Sequence, residues 1–468
     1  MDPTTQKKIM PIRRVSRRVY RSLPVIAAPL LALALPAAAT QSFTYGVDAG
    51  VAETDNVTLV PTDKISQTEA ITDLDFDFKQ QTRLIDADAK GNFSYLDYLQ
   101  NAYNNQLLGR FDGNAKIAVI PDRLTWVVQD DFGQSALDPF TPTTPNNLEN
   151  VNYLSTGPDL SLRLGGTGFF NMSARYARTS YETSPFNSNR LQGSLGVGLL
   201  LSARSTVSLN ADTERVLFTD TTLNTDFNRT NAFLRYTLQG ARTDLSADVG
   251  ATRVSQTGDS TSGVLAKLQA SRKLSSAATL KLSLGRDLTD ASASFSSLQS
   301  GAIGVVGTAP AAVTSNSYTS DYASLDWQYH RFRTDFGVSG RWEKDVYGTD
   351  PALDVTRGGA EFRVGRRLTR SLRGELLGRL YRTDYINANA AAVAGSPTYD
   401  DQLIAGILTW RHGRGLEIKL RCEHDARVTS ASDFGYKDNR AVLTIGYRPF
   451  TRAPVEEEES PAIGTPGA

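Results

Sequence analysis

The stretch Leu416–Arg427, LEIKLRCEHDAR, decides the fold. Leu416, Ile418, Leu420 and Cys422 share one parity, and Glu417, Lys419, Arg421, Glu423 and Asp425 share the other. Successive side chains of a strand point to opposite faces, so this is a strand with one apolar and one charged face. The split recurs outward along the chain. Leu280, Leu282 and Leu284 alternate with Lys281 and Ser283, and Val264, Ala266, Leu268 and Ala270 with Lys267, Gln269 and Ser271. Ala323, Leu325, Trp327 and Tyr329 alternate with Ser324, Asp326 and Gln328. Beyond the N-terminus no helical period competes with it.

Composition removes several classes of protein. The chain has 468 residues, of which 40% are hydrophobic, and no run past the N-terminus reaches the roughly 18 apolar residues of a membrane-spanning helix. A bundle of such helices is excluded. Fifty Lys and Arg balance fifty Asp and Glu, so the basic surplus that favours a nucleic-acid partner is missing. One Cys forms no intramolecular disulfide, and with three scattered His it provides no metal-ligand spacing.

The N-terminus sets the compartment. Lys7, Lys8, Arg13, Arg14, Arg17, Arg18 and Arg21 precede the apolar run Leu23–Leu35, and Ala37–Ala39 follow. These are the three parts of a secretory signal peptide, expected over residues 1–39 with cleavage after Ala39. Residues 451–468, TRAPVEEEESPAIGTPGA, are Pro-rich and acidic, and are expected to be a disordered periplasmic tail. Between them, residues 40–450 form the folded domain.

Alternation alone does not distinguish a soluble sandwich from a membrane barrel. Aromatic residues do, since Tyr45, Phe76, Phe78, Phe93, Tyr95, Trp126, Tyr236, Trp327, Tyr329, Trp342, Trp410 and Tyr447 end apolar faces as interfacial girdles do. Connection length discriminates further. Tight connections at Gln80–Thr82, Pro121–Asp122, Gly165–Thr167, Ala203–Ser205, Gln239–Arg242, Leu274–Ala277, Arg331–Phe332, Thr369–Ser371 and His412–Arg414 alternate with ten longer ones, including Val254–Ser262 and Asp290–Ser315. The expected fold is all-β: a transmembrane, antiparallel, up-and-down β-barrel of about 20 strands, within a range of 16 to 22. Its place is the outer membrane of a Gram-negative bacterium. Residues 440–450, RAVLTIGYRPF, read as the closing strand, its terminal aromatic a signal for the barrel-assembly machinery.

Charge on the second parity then points away from lipid, where an Arg or Lys at mid-membrane costs about 2 to 4 kcal/mol. The pore-lining candidates are Arg341, Glu343, Arg357, Glu361, Arg363, Arg373, Glu375, Arg379, Lys419, Arg421 and Glu423. Arg357, Arg363, Arg373 and Arg379 fall on two adjacent strands, which predicts a polarised lumen. No local motif supplies a nucleophile beside a base, and His330, His412 and His424 are isolated, so no catalytic, cofactor-binding or metal-binding residue is assigned. Gly165, Gly166 and Gly168 supply a turn, since no helix follows them to cradle a phosphate.

Thr54-Asp55-Asn56-Val57-Thr58-Leu59, Tyr98-Leu99-Gln100-Asn101, and the stretch from Gln134-Ser135 through Pro139-Phe140 to Gly157-Pro158-Asp159-Leu160 carry a resemblance. Together they resemble the exopolysaccharide-associated outer-membrane β-barrel family encoded beside PEP-CTERM/exosortase systems, a group similar to β-barrel porins. The resemblance covers about Thr44 to Phe450 and leaves out the acidic tail. It implies a barrel linked to surface-polysaccharide biosynthesis or export, with no defined catalytic residues to carry over; the partners expected are outer-membrane lipid, the barrel-assembly machinery and polysaccharide. The function expected is a hydrophilic pore. The alternatives are a non-conducting scaffold, plugged by the connection Asp290–Ser315, and a surface hydrolase.

Overall fold

A computed structural model describes residues 40–256, 258–299, 314–387, 397–429 and 432–449. The expected signal peptide and acidic tail lie outside these residues, as does Phe450. Strands follow one another up and down: β1 (Thr40–Thr54), β2 (Gln67–Gln81), β3 (Ile85–Tyr98), β4 (Gln106–Ile120), β5 (Leu124–Ala136), β6 (Leu148–Leu164), β7 (Gly168–Tyr181), β8 (Ser188–Ser202), β9 (Ser205–Phe218) and β10 (Phe227–Gln239). The second half continues with β11 (Thr243–Gln256), β12 (Asp259–Lys273), β13 (Ala278–Asp290), a helix α1 (Ala291–Gln299), β14 (Ser317–Arg331), β15 (Thr334–Tyr347), β16 (Val355–Arg367), β17 (Leu372–Tyr385), β18 (Thr398–His412), β19 (Leu416–Thr429) and β20 (Tyr436–Tyr447).

Each strand pairs antiparallel with the next, and β20 pairs with β1 from Arg440–Thr54 to Tyr447–Val47, closing a 20-stranded sheet on itself. Twenty strands about 4.8 Å apart, tilted roughly 40°, make a backbone cylinder roughly 40 Å across. A salt-bridge latch spans the closure. Arg448, just past β20, reaches Asp48 on β1 at 2.7 Å and Asp75 on β2 at 2.6 Å.

Pleat and register sort the side chains. On β1, Phe43, Tyr45, Val47 and Val51 are 39–50% exposed, whereas Asp48 and Ala52 are buried at 3% and 1%. Register carries the apolar set onto β2, where Phe78, Phe76 and Leu74 stand opposite Phe43, Tyr45 and Val47. Ile418, Leu420 and Cys422 likewise face Trp410, Leu408 and Gly406 on β18, and Ile445, Leu443 and Ala441 on β20. The outside is therefore the apolar face. Asp130 departs from the pattern: it sits on the outward register midway along β5, where the Asn152 amide donates to it at 3.0 Å.

Nine connections at one end have two to four residues, and the tight turns read from the sequence match them to within a residue or two. Three features depart from expectation. The connection placed at Val254–Ser262 is short, because the polar residues on either side pair as strand up to Gln256 opposite Asp259. The one placed at Gln134–Glu149 is trimmed at both ends, by β5 running to Ala136 and β6 starting at Leu148. A helix, α1, also opens the connection after Asp290.

Candidate functional site

The candidate charges all sit on the inward face by register. They do not form one cluster. Arg357 lies at the long-loop end of β16 and is tied to Asp345 at 2.5 Å, while Arg373 lies at the short-turn end of β17, bonded to Glu375 and to Asp335 at 2.5 and 2.8 Å. Between these ends Glu361 faces Arg379 across β16 and β17, and Arg363 faces Leu377. The four arginines expected to act together are thus split, with Arg363 and Arg379 alone at mid-height. Arg341–Glu343 at 3.0 Å and Arg421–Glu423 at 2.6 Å pair along their own strands, and Lys419 approaches Glu417 at 3.7 Å. Alternating signs two residues apart on one face make such pairing cheap, and half-exposed pairs of this kind contribute little to stability.

The geometry that sequence reasoning missed lies where the chain turns into the barrel. The top of β13 carries Asp290 inward to Arg190 on β8 and Arg229 on β10, and Glu214 on β9 binds both arginines. Arg190 Nη1 lies 3.1 Å from Glu214, and Arg229 Nη1 lies 3.4 Å from Asp290. Two cations against two carboxylates neutralise one another in a site where Arg190 is only 1% exposed. Helix α1 continues from this quartet. Its Phe295 is 3% exposed among Val151, Tyr153, Ala177 and Tyr181 of β6 and β7, and Ser292 Oγ lies 3.2 Å from the Tyr181 hydroxyl. β13 and β7 are six strands apart in a sheet that closes on itself, so α1 crosses the lumen.

A second crossing comes from the β5–β6 connection. Phe140 packs against Tyr385 of β17 with ring centroids 4.5 Å apart and planes tilted by 51°, beside Val355 and Tyr399, and the Tyr399 hydroxyl donates to the Pro139 carbonyl at 3.3 Å. The signal for both crossings is present in the sequence. Near the ends of their strands, Val151, Tyr153, Val216, Phe218, Phe227 and Tyr385 are apolar or aromatic on the parity that elsewhere is charged. Inward apolar groups at a rim bury themselves only if a loop folds onto them.

Chemically the wall offers charge and hydroxyls. Among the described residues no group of three or more His, Cys, Asp and Glu could hold a metal ion. His424 is outward and contacts Asn439 at 2.8 Å, and His330 pairs with Asp335 at the short-turn end.

A closed sheet with a largely apolar exterior, an aromatic-ended register and a charged interior fits one solvent outside and another within. The chain is an outer-membrane β-barrel. The barrel's even strand number places both ends and the short turns in the periplasm, so α1 and the β5–β6 connection lie at the extracellular mouth. No protein-family model and no curated protein matches its sequence. Solved structures with a similar course include the FrpB iron transporter of Neisseria meningitidis, F5-1 variant, at 9% identity and TM-score 0.44, covering 86% of this chain and 82% of that one. A mutant of the ferric enterobactin receptor PfeA of Pseudomonas aeruginosa matches at 11% identity and TM-score 0.45, over 86% and 80% of the two chains. The OmpT loop-deletion mutant of Vibrio cholerae matches at 9% and 0.34, over 88% and 100%. At these similarities the likeness adds nothing to what the barrel's own geometry shows.

Proposed function

We propose that the barrel is a hydrophilic pore whose extracellular mouth is narrowed by α1 and the β5–β6 connection, and that it carries polar, sugar-rich solutes. The observation that carries this reading is the placement of α1: a helix held inside a roughly 40 Å cylinder by a buried ion quartet is a constriction above a charged wall. Interleaved positive and negative side chains orient water and hydroxyls, which favours neutral or weakly acidic sugars over apolar solutes. The resemblance to exopolysaccharide-associated barrels supports a place in polysaccharide export. Arrival by signal-directed secretion and the barrel-assembly machinery belongs to the same reading, and catalysis does not.

Swelling of proteoliposomes in neutral oligosaccharides of increasing length tests it. Asp290 and Ser317 are paired, so removal of residues 291–313 leaves 314–316 to close the hairpin. The full chain should admit short oligosaccharides, and the shortened variant longer ones. The second reading, a non-conducting scaffold, is favoured by the depth at which the quartet is buried. It gains the field if neither protein admits any sugar. A fluorogenic glycan and ester screen is expected to show no turnover.

A further inference from the structure

A belt of cations runs around one half of the barrel's outer surface. Arg178, Arg215, Arg253, Lys344 and Arg382 each stand three residues before the extracellular end of β7, β9, β11, β15 and β17, and Arg286 stands four before the end of β13. Pairing puts all six on the outward register. Arg178 is opposite Leu154 and Asn189, Arg215 opposite Leu191 and Asn228, and Arg253 opposite Thr230 and Ser262. Five of the six are exposed and Lys344 is half-buried. Among the other upward strands the outward register near that step carries Val51, Tyr95, Phe132 and Ala426, so on the upward strands the belt covers β7 to β17, and Lys437 of β20, opposite Ala426, is a further outward cation.

Three residues of a strand tilted roughly 40° place these groups about 8 Å below the rim. That depth is the interface, where a lipid-facing Arg or Lys costs far less than at mid-membrane. Carboxylates on the same face are fewer. Asp321 lies 3.6 Å from Arg286, Asp400 lies 3.8 Å from Arg382, and Asp384 accepts from the Thr398 hydroxyl. Arg178 and Arg215 have no carboxylate partner among the described residues, and each stands opposite an Asn that adds a donor. A guanidinium presents a planar fork of donors that fits phosphate, and basic groups at a membrane surface draw anionic headgroups.

We propose that the β7–β17 face binds the phosphorylated glycolipid of the outer leaflet, with the six cations taking its phosphates. The inference rests on the outer-membrane setting and is independent of what the lumen conducts. Purified barrel would be titrated by native mass spectrometry with bisphosphorylated lipid A, with the same lipid dephosphorylated, and with inorganic phosphate. The comparison variant carries Arg178→Gln, Arg215→Gln, Arg253→Gln, Arg286→Gln, Lys344→Gln and Arg382→Gln, and heat-modifiable migration reports its folding. Should it fail to fold, Arg178→Gln with Arg215→Gln replaces it. The barrel should bind bisphosphorylated lipid A, the variant at least about tenfold more weakly, and phosphate should not compete. Equal binding of the dephosphorylated lipid, equal binding by the folded variant, or full competition by phosphate overturns the proposal. So does self-association of the barrel that the variant loses, since the belt would then be a protein interface.

Discussion

Arg190 shows how much one side chain can be asked to do. Its guanidinium joins β8 to β9 through Glu214 and to the inward end of β13 through Asp290, in a site with almost no solvent. Removing one member of such a group leaves its partners charged and unpaired, at a cost of about 3–5 kcal/mol. The barrel's strand ladders do not depend on it, so the cost falls on α1. Asp290→Ala is expected to undock α1 while preserving heat-modifiable migration, and limited proteolysis should then cut near Phe295. Lipid-facing positions obey a different rule. Ile418→Arg and Leu282→Arg each put a cation near mid-membrane, costing about 2–4 kcal/mol and lowering assembly yield, whereas Lys419→Ala and Lys281→Ala leave yield unchanged. Comparable losses in both pairs would mean the register is displaced by one residue.

Strands were legible because lipid on one side and water on the other write a period of two into nearly every segment, as in Leu416–Arg427. α1 was not, because ASASFSSLQ has little amphipathic period of its own and holds its place through Phe295 and the quartet that precedes it. The Val254–Ser262 connection misled for the opposite reason: Ser255, Gln256, Asp259 and Ser260 read as loop by composition, yet they pair across β11 and β12 and extend the hairpin. Turn chemistry also leaves one element open to improvement. Phe332 adopts φ 56° in the β14–β15 turn and is 78% exposed. A left-handed backbone costs an ordinary residue roughly 1–2 kcal/mol and Asn less. Phe332→Asn also removes an exposed stacking contact with the Arg331 guanidinium, worth about 0.5–1 kcal/mol. The net is a gain of under about 1 kcal/mol, read as a higher urea midpoint for unfolding from vesicles.

For the whole molecule, closure is the property on which the rest depends. Every strand has two neighbours, β1 with β20 included, so the sheet closes on itself and the barrel should resist SDS until boiled. Boiled and unboiled samples that co-migrate would contradict the fold. The inward charges were legible as a set by parity, but their grouping was not. Distances across a lumen depend on tilt and on which loops fold in, and neither is encoded within one strand, which is why Arg357 and Arg373 share a parity yet stand at opposite ends. The central claim is that the lumen conducts and that α1, docked across it, sets its width. Single-channel conductance in planar bilayers tests this most directly, with the unaltered chain and Asp290→Ala compared in the same salt. The account predicts discrete open steps for the first and larger steps for the second. Equal steps in both, or none in either, would contradict it.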